Sequence, residues 1–211
     1  MKRFILALLV LTLLTPAAAF ADRYRGGGVG GYAGILLGVN MGNDTDITDQ
    51  YYAPPYVDSV EFDPGVYVGG TVGSDFGPLR LEGEISYRGS DVDSITFEGE
   101  SFPTPGGDGS VGALAIMFNA FFDLETGGPV TPYIGGGIGF ANLSIDDVPY
   151  YNDDDDGVFA YQVGGGLAFN IQRNMTVDIG YRFFGTDDAD FEYASMDYQS
   201  HTVMLGFRFL Y

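Results

Sequence analysis

The sequence contains no cysteine and no tryptophan, one histidine, and a single lysine among its nine basic residues. Without cysteine it has no disulfides, no thiolate metal ligands and no thiol catalysis. Nine bases stand against 29 acids, a formal charge of −20. Such a chain lacks the Lys and Arg that displace counterions from nucleic acid, so no nucleic-acid partner is expected. Charged residues make up 18% of the chain, below the usual quarter. Aromatics at 15% argue against disorder, since disordered chains are poor in them. Glycine is abundant, 33 of 211 residues, but has no period of three, which excludes a collagen helix. The length suits one domain. Much Gly, Tyr and Phe without Cys points to an all-β protein with close backbone approaches.

The first residues read as an export signal. Lys2 and Arg3 precede the apolar run Phe4–Leu14, and Ala19 and Ala21 form a small-x-small cleavage site before Asp22. A basic start, a short apolar region and small residues describe a secretory signal peptide, residues 1–21. The run is too short for a spanning helix, which needs ~20 residues. No cysteine lies near the cleavage site, so a lipoprotein anchor is excluded. Cleavage leaves seven Arg, no Lys and all 29 acids, a formal −22. No later stretch is long and apolar enough for a transmembrane helix. Periplasmic, secreted and outer-membrane β-barrel fates remain. Residues 22–30 read as a flexible, Gly-rich lead. Gly26-x-Gly28-x-x-Gly31 formally matches a dinucleotide fingerprint, but lacks the preceding strand and following helix that give it meaning, so no cofactor is expected.

The remainder alternates in polarity. Leu79, Leu81, Ile85 and Tyr87 share one parity, and Arg80, Glu82, Glu84, Ser86 and Arg88 the other. Strand side chains point to opposite faces with period two, so one face is apolar and the other charged. Val177, Ile179, Tyr181 and Phe183 likewise oppose Thr176, Asp178, Gly180 and Arg182; Val203, Leu205, Phe207, Phe209 and Tyr211 oppose Thr202, Met204, Gly206 and Arg208. Residues 158–170 alternate in the same way, and four weaker, Gly-filled strands are expected near 31–40, 65–75, 110–123 and 132–144. The connections at 76–78, 124–131 and 171–174 are short and turn-like; those at 41–64, 89–109, 145–157 and 185–197 are long and hold 22 of the 29 acids. Short turns on one side and long polar loops on the other mark an outer-membrane barrel. We therefore expect residues 31–211 to form an eight-stranded antiparallel up-and-down transmembrane β-barrel with short periplasmic turns and long acidic extracellular loops. The competing fold is a soluble β-sandwich, which leaves the loop alternation unexplained.

The chain ends Gly206-Phe207-Arg208-Phe209-Leu210-Tyr211. This ending resembles the C-terminal signature of outer-membrane barrels: a glycine, alternating hydrophobics, then a terminal aromatic. Phe is commonest there, and Tyr211 is a variant. Residues 131–141 (TPYIGGGIGFA) are similar to the fifth strand of the small outer-membrane β-barrel domain family, which includes opacity-type surface antigens and the OmpA membrane domain; residues 178–184 (DIGYRFF) resemble its seventh strand. The resemblance implies a monomeric barrel in the bacterial outer membrane, with both termini in the periplasm. It also implies that Gly206, Phe207, Phe209 and Tyr211 are read by the barrel assembly machinery.

Three candidate sites follow. Arg80, Glu82, Glu84, Arg88, Asp178, Arg182 and Arg208 have lumen parity, and buried charges persist only when paired. They are expected to form a charge network, either a structural plug or the wall of a narrow pore for small solutes or ions. Residues 152–157 partly resemble a calcium loop, with Asn152, Asp154, Asp156 and Gly157 at positions one, three, five and six, but Val163 stands at position twelve, where the bidentate Glu is required; the segment reads as a solvated loop tip, with weak divalent-ion binding at Asp153, Asp154, Asp155 and Asp156 as the alternative. The acidic loops also face lipopolysaccharide, which suggests divalent bridging to outer-membrane lipid. An enzyme, such as a lipase, protease or lipid-modifying barrel, needs a base beside its nucleophile. The lone His201 lies beside Ser200 and Thr202 but shares parity with Val203. We expect it at the outward rim, with no catalytic residues, no metal centre and no enzyme.

Overall fold

The computed structural model describes residues 30–43, 45–49, 56–97, 100–103, 110–124, 126–146, 154–187, 189–190 and 194–211. The expected signal peptide, 1–21, and the lead up to residue 29 lie outside the described residues. Eight long strands build the fold: β1 Gly30–Gly42, β2 Gly65–Asp75, β3 Leu79–Phe97, β4 Ser110–Asp123, β5 Val130–Asp146, β6 Asp154–Gln172, β7 Met175–Thr186 and β8 Gln199–Leu210. Each pairs antiparallel with the next. The last pairs with the first, from Tyr32↔Leu210 to Gly42↔Ser200, so the sheet closes. Closure leaves no edge among the eight, as hydrocarbon requires of a spanning sheet.

The faces are inverted relative to a water-soluble protein. Along β1, Ile35, Leu37, Val39 and Met41 are exposed while Tyr32, Leu36 and Asn40 are buried. The same inversion runs along β3, where Ile85 is 40% exposed and Glu84 3%. Thus the apolar parity forms an outer belt and the polar parity fills the lumen. Among the described residues, buried apolar side chains form small groups such as Leu36, Tyr67 and Met204.

Three short turns close one end. The β2–β3 turn at 76–78 holds Gly77 at φ 86°, with its N–H bonded to Asp75 Oδ1 at 2.8 Å. That φ suits glycine because no Cβ meets the backbone. The β4–β5 turn ends at Pro129 rather than 131, and the β6–β7 turn is only Arg173 and Asn174, because Ile171 and Gln172 continue the strand. β1 begins at Gly30, one residue before the expected boundary.

The opposite end departs more from expectation. The connections expected as loops contain further strands. Thr45–Asp49 and Tyr56–Phe62 form a hairpin, joined by the upper part of β3 and by Glu100–Pro103 on one side, and by Ala194–Met196 and Ala189–Asp190 on the other. The reason is local: these acidic segments also carry Thr45, Ile47, Thr48, Val57, Val60, Val92, Ile95 and Thr96, the β-branched residues that favour strands. Acid content masked that propensity.

Glycines on the inner face of β5 make room for the neighbouring strand. Gly135, Gly137 and Gly139 pair with Phe121, Asn119 and Met117 of β4. A Cβ at Gly135 would sit 2.6 Å from the Phe121 ring, one at Gly139 would sit 2.8 Å from Met117 Sδ, and one at Gly137 would collide with the Asn119 amide. The glycine run is thus the complement of the side chains opposite. Overpacking costs about 1–3 kcal/mol, so Gly137→Ala is expected to lower stability by about that amount in urea unfolding followed by the heat-modifiable gel band. Gly83→Ala, on the outer face with its nearest neighbour 3.9 Å away, should leave the midpoint within about 0.5 kcal/mol of the parent.

Candidate functional site

The lumen is where the chain's unusual chemistry converges. Position 84 of β3 points inward near the middle of the barrel, and its carboxylate is the hub of a network. It accepts from Tyr67 Oη of β2 at 2.8 Å, Asn119 Nδ2 of β4 at 2.9 Å and Gln162 Nε2 of β6 at 3.0 Å. Arg182 Nη1 of β7 bonds it directly, and Arg88 Nη2 lies 3.8 Å away. Glu82, one step nearer the short-turn end, accepts from Tyr32 Oη of β1 at 2.9 Å and faces Arg182 Nη2 at 3.5 Å. Arg182 therefore bridges both glutamates. Its five donors in a rigid fork suit this role.

Below this layer, toward the short turns, two further pairs fill the lumen. Arg80 Nε donates to both oxygens of Asp123 at 3.0 and 2.8 Å. Arg208 grips Asp178 at two points, Nε to Oδ2 at 2.7 Å and Nη2 to Oδ1 at 2.8 Å. Aromatic faces cover the cations: Arg80 lies 5.0 Å from the Phe121 centroid and 4.9 Å from that of Tyr133, and Arg88 lies 3.9 Å from that of Phe184. Between Glu82, Tyr133, Arg182 and Met204 a free space of about 10 Å³ remains, on the order of one water molecule. Above the charged layer the lumen is polar but neutral. Asn40 Nδ2 donates to Tyr198 Oη at 2.8 Å and to Ser90 Oγ at 3.2 Å, and Thr202 Oγ1 donates to Asn40 Oδ1 at 3.2 Å.

The structure thus brings Arg80, Glu82, Glu84, Arg88, Asp178, Arg182 and Arg208 into the lumen, all buried. They do not form one cluster. Arg88, Glu82, Glu84 and Arg182 share the central layer, while Arg80 and Arg208 each hold a separate aspartate. Asp123 completes a balance of four arginines and four acids among the ion-paired lumen residues. Sequence reasoning missed Asp123, Tyr32, Tyr67, Asn119 and Gln162. Parity would have found Asp123 and Asn119, since both alternate with the exposed Phe118 and Phe122. The apolar lumen residues Ala113, Ala115 and Met117 blurred that alternation.

The other candidate residues lie apart. Phe209 of β8 and Tyr211, just past its end, are exposed on the outer face, and Gly206 packs inward beside Asp178 and Leu36. Asp153 lies outside the described residues, and Asp154, Asp155 and Asp156 are described only as the first backbone positions of β6. Among the described residues no three acidic or imidazole groups are placed to hold one metal ion. His201 stands on the outer face of β8, whereas Ser200 and Thr202 are fully buried on the inner face. A sheet separates the imidazole from either hydroxyl.

Removing one member of a buried ion pair strands its partners and costs about 3–5 kcal/mol. Arg182→Ala is expected to destabilise the barrel by that amount, because Glu82 loses its cation and Glu84 keeps only Arg88, 3.8 Å away. Pairing it with Glu84→Gln should recover part of the loss, as read by urea unfolding in lipid vesicles.

Comparison with known proteins places this geometry. The model of the family described as outer membrane protein beta-barrel domain matches residues 5–209. Among curated proteins, the outer membrane protein PagN of Salmonella typhimurium is 24% identical over 200 residues, covering 87% of this chain and 83% of PagN. An uncharacterized protein of Brucella abortus is 31% identical over 94 residues, covering 35% of this chain; the match spans about a third, 33%, of that relative's length. Neisserial surface protein A shares the fold with a TM-score of 0.57 at 16% identity, covering 87% of this chain and 99% of the other. OprG of Pseudomonas aeruginosa does so with a TM-score of 0.56 at 11% identity, covering 87% and 98%. A closed eight-stranded sheet with an apolar outer belt and a charged interior, matched from end to end by one family model, leaves one assignment: the chain belongs to the outer membrane protein beta-barrel domain family and is a protein of the bacterial outer membrane.

Proposed function

We propose that this barrel is a plugged, non-conducting scaffold that stabilises the envelope and presents its acidic end to the medium. The observation that carries the reading is the Glu84 hub, which ties β3 to β2, β4, β6 and β7 across the lumen. A pore needs a continuous water path, and the side chains of the central layer occupy that path with charges already paired. Four arginines against four acids leave no surplus charge to select an ion. The placement of His201 away from Ser200 and Thr202 supports a non-enzymatic role. The outward Phe209 and Tyr211 on the strand that closes the sheet are in keeping with recognition of β8 by the barrel assembly machinery.

A second role rests on charge. The connections 41–64, 89–109, 145–157 and 185–197 hold 22 acids and no Lys, Arg or His. Placed against anionic lipopolysaccharide, such a surface calls for divalent cations between the two, since hard cations seek carboxylate oxygens.

Planar bilayers holding the refolded protein are expected to show no unitary conductance, and steady openings of the unmutated protein would overturn the plug. For bridging, chelator treatment of outer membranes should make the protein easier to extract in mild detergent. Extraction that is indifferent to chelator would remove that role.

A further inference from the structure

None of the nine Lys and Arg residues falls in the four acidic connections. Four arginines are buried in the lumen, Arg173 sits in the β6–β7 turn, and the rest precede β1. Among the described residues outside the lumen, the extracellular half of the barrel therefore has one basic side chain, His201. Its position is specific. The outer face of β8 reads His201, Val203, Leu205, Phe207, Phe209, Tyr211. That is one strand crossing, ~9–11 residues, with His201 at its upper edge and Tyr211 at its lower edge. Val203 and Leu205 below it are 49% and 46% exposed, as lipid-facing residues are in the absence of lipid.

The ring is held. It stacks on Tyr181 with centroids 5.8 Å apart and planes 25° apart, and it lies 5.3 Å from the Phe183 centroid. Its Nδ1 is 2.5 Å from Tyr181 Oη. Phe183 in turn packs on Tyr161 at 6.3 Å. Aromatic residues of this kind gather at the headgroup level of a membrane. In the tautomer in which the Tyr181 hydroxyl donates to Nδ1, the imidazole proton sits on Nε2, because the bond at one ring nitrogen fixes the other. Nε2 is the ring nitrogen that the Tyr181 bond leaves available. An N–H there cannot be left in hydrocarbon without cost, and the strongest acceptor that a membrane interface offers it is a headgroup phosphate.

We propose that His201, oriented by Tyr181, seats the phosphate of an outer-leaflet lipid through an Nε2–H···O bond. Such a contact with an anionic lipid needs no bridging cation. Tyr181 is a positioning residue and does not touch the phosphate.

The single histidine makes the test direct. Protein labelled only at histidine nitrogens is reconstituted in phosphatidylglycerol vesicles in phosphate-free buffer, and phosphorus-to-nitrogen dipolar recoupling is read by solid-state NMR. The Nε2 signal should lose intensity to phosphorus, and Nδ1 far less. Tyr181→Phe should reduce the Nε2 effect to less than half while the heat-modifiable gel band shows the barrel still folded. No recoupling at Nε2 in folded protein, or an undiminished effect in Tyr181→Phe, overturns the proposal. A third sample, in a phosphate-free detergent with inorganic phosphate added, should show none; an equal effect there would assign the seat to free phosphate instead of lipid and overturn it as well.

Discussion

Hydrocarbon offers a backbone amide nothing to bond to, and every level of this structure answers that constraint. A sheet that must leave no edge closes on itself, so β8 returns to β1. Closure fixes which face meets lipid, and the alternation along each strand then sends apolar side chains out and polar ones in. With eight strands the interior is only wide enough for side chains. Polar groups confined there, away from water, must satisfy one another, and the charge network is the result. Its pairing is thus a consequence of closure as much as of sequence.

The narrow interior also accounts for the glycines. Where one strand contributes a large inward group, the neighbour contributes none. Tyr133 Oη would lie 2.7 Å from a Cβ at either Gly166 or Gly180, so two strands yield to one phenol. The same exchange repeats between β4 and β5. Glycine weakens a strand intrinsically, and here the loss is offset by buried aromatic, amide and thioether side chains that could not otherwise fit.

Strand positions could be read from the sequence because a single parity rule governs a closed sheet in lipid. The eight long strands sit where alternation placed them, and Arg80 through Arg88 show why: apolar and charged residues interleave without a break. The hairpin at Thr45–Asp49 and Tyr56–Phe62 could not be read in this way. Above the membrane neither face is apolar, so alternation carries no signal and only β-branched propensity remains. Parity also assigned the lumen face of β3, β7 and β8, but no local pattern says which arginine meets which acid. Arg80 meets Asp123, 43 positions away, rather than Glu82 or Glu84 on its own strand, and that choice depends on the register between β3 and β4. Gln162 is likewise an ordinary polar residue until β6 brings its amide to both Glu84 and Asn119.

The central layer has a mechanical side. Backbone ladders run around a barrel like a hoop, and a hoop resists stretching yet flattens easily into an ellipse. The bonds from Glu82 and Glu84 reach the flanking strands through Tyr67 and Asn119, and through Tyr32, Gln162 and Arg182 they reach three strands that do not adjoin β3. They act as spokes set at one height. Squeezing the barrel between β3 and the opposite β6 and β7 shortens these links, so the central layer resists flattening in that direction.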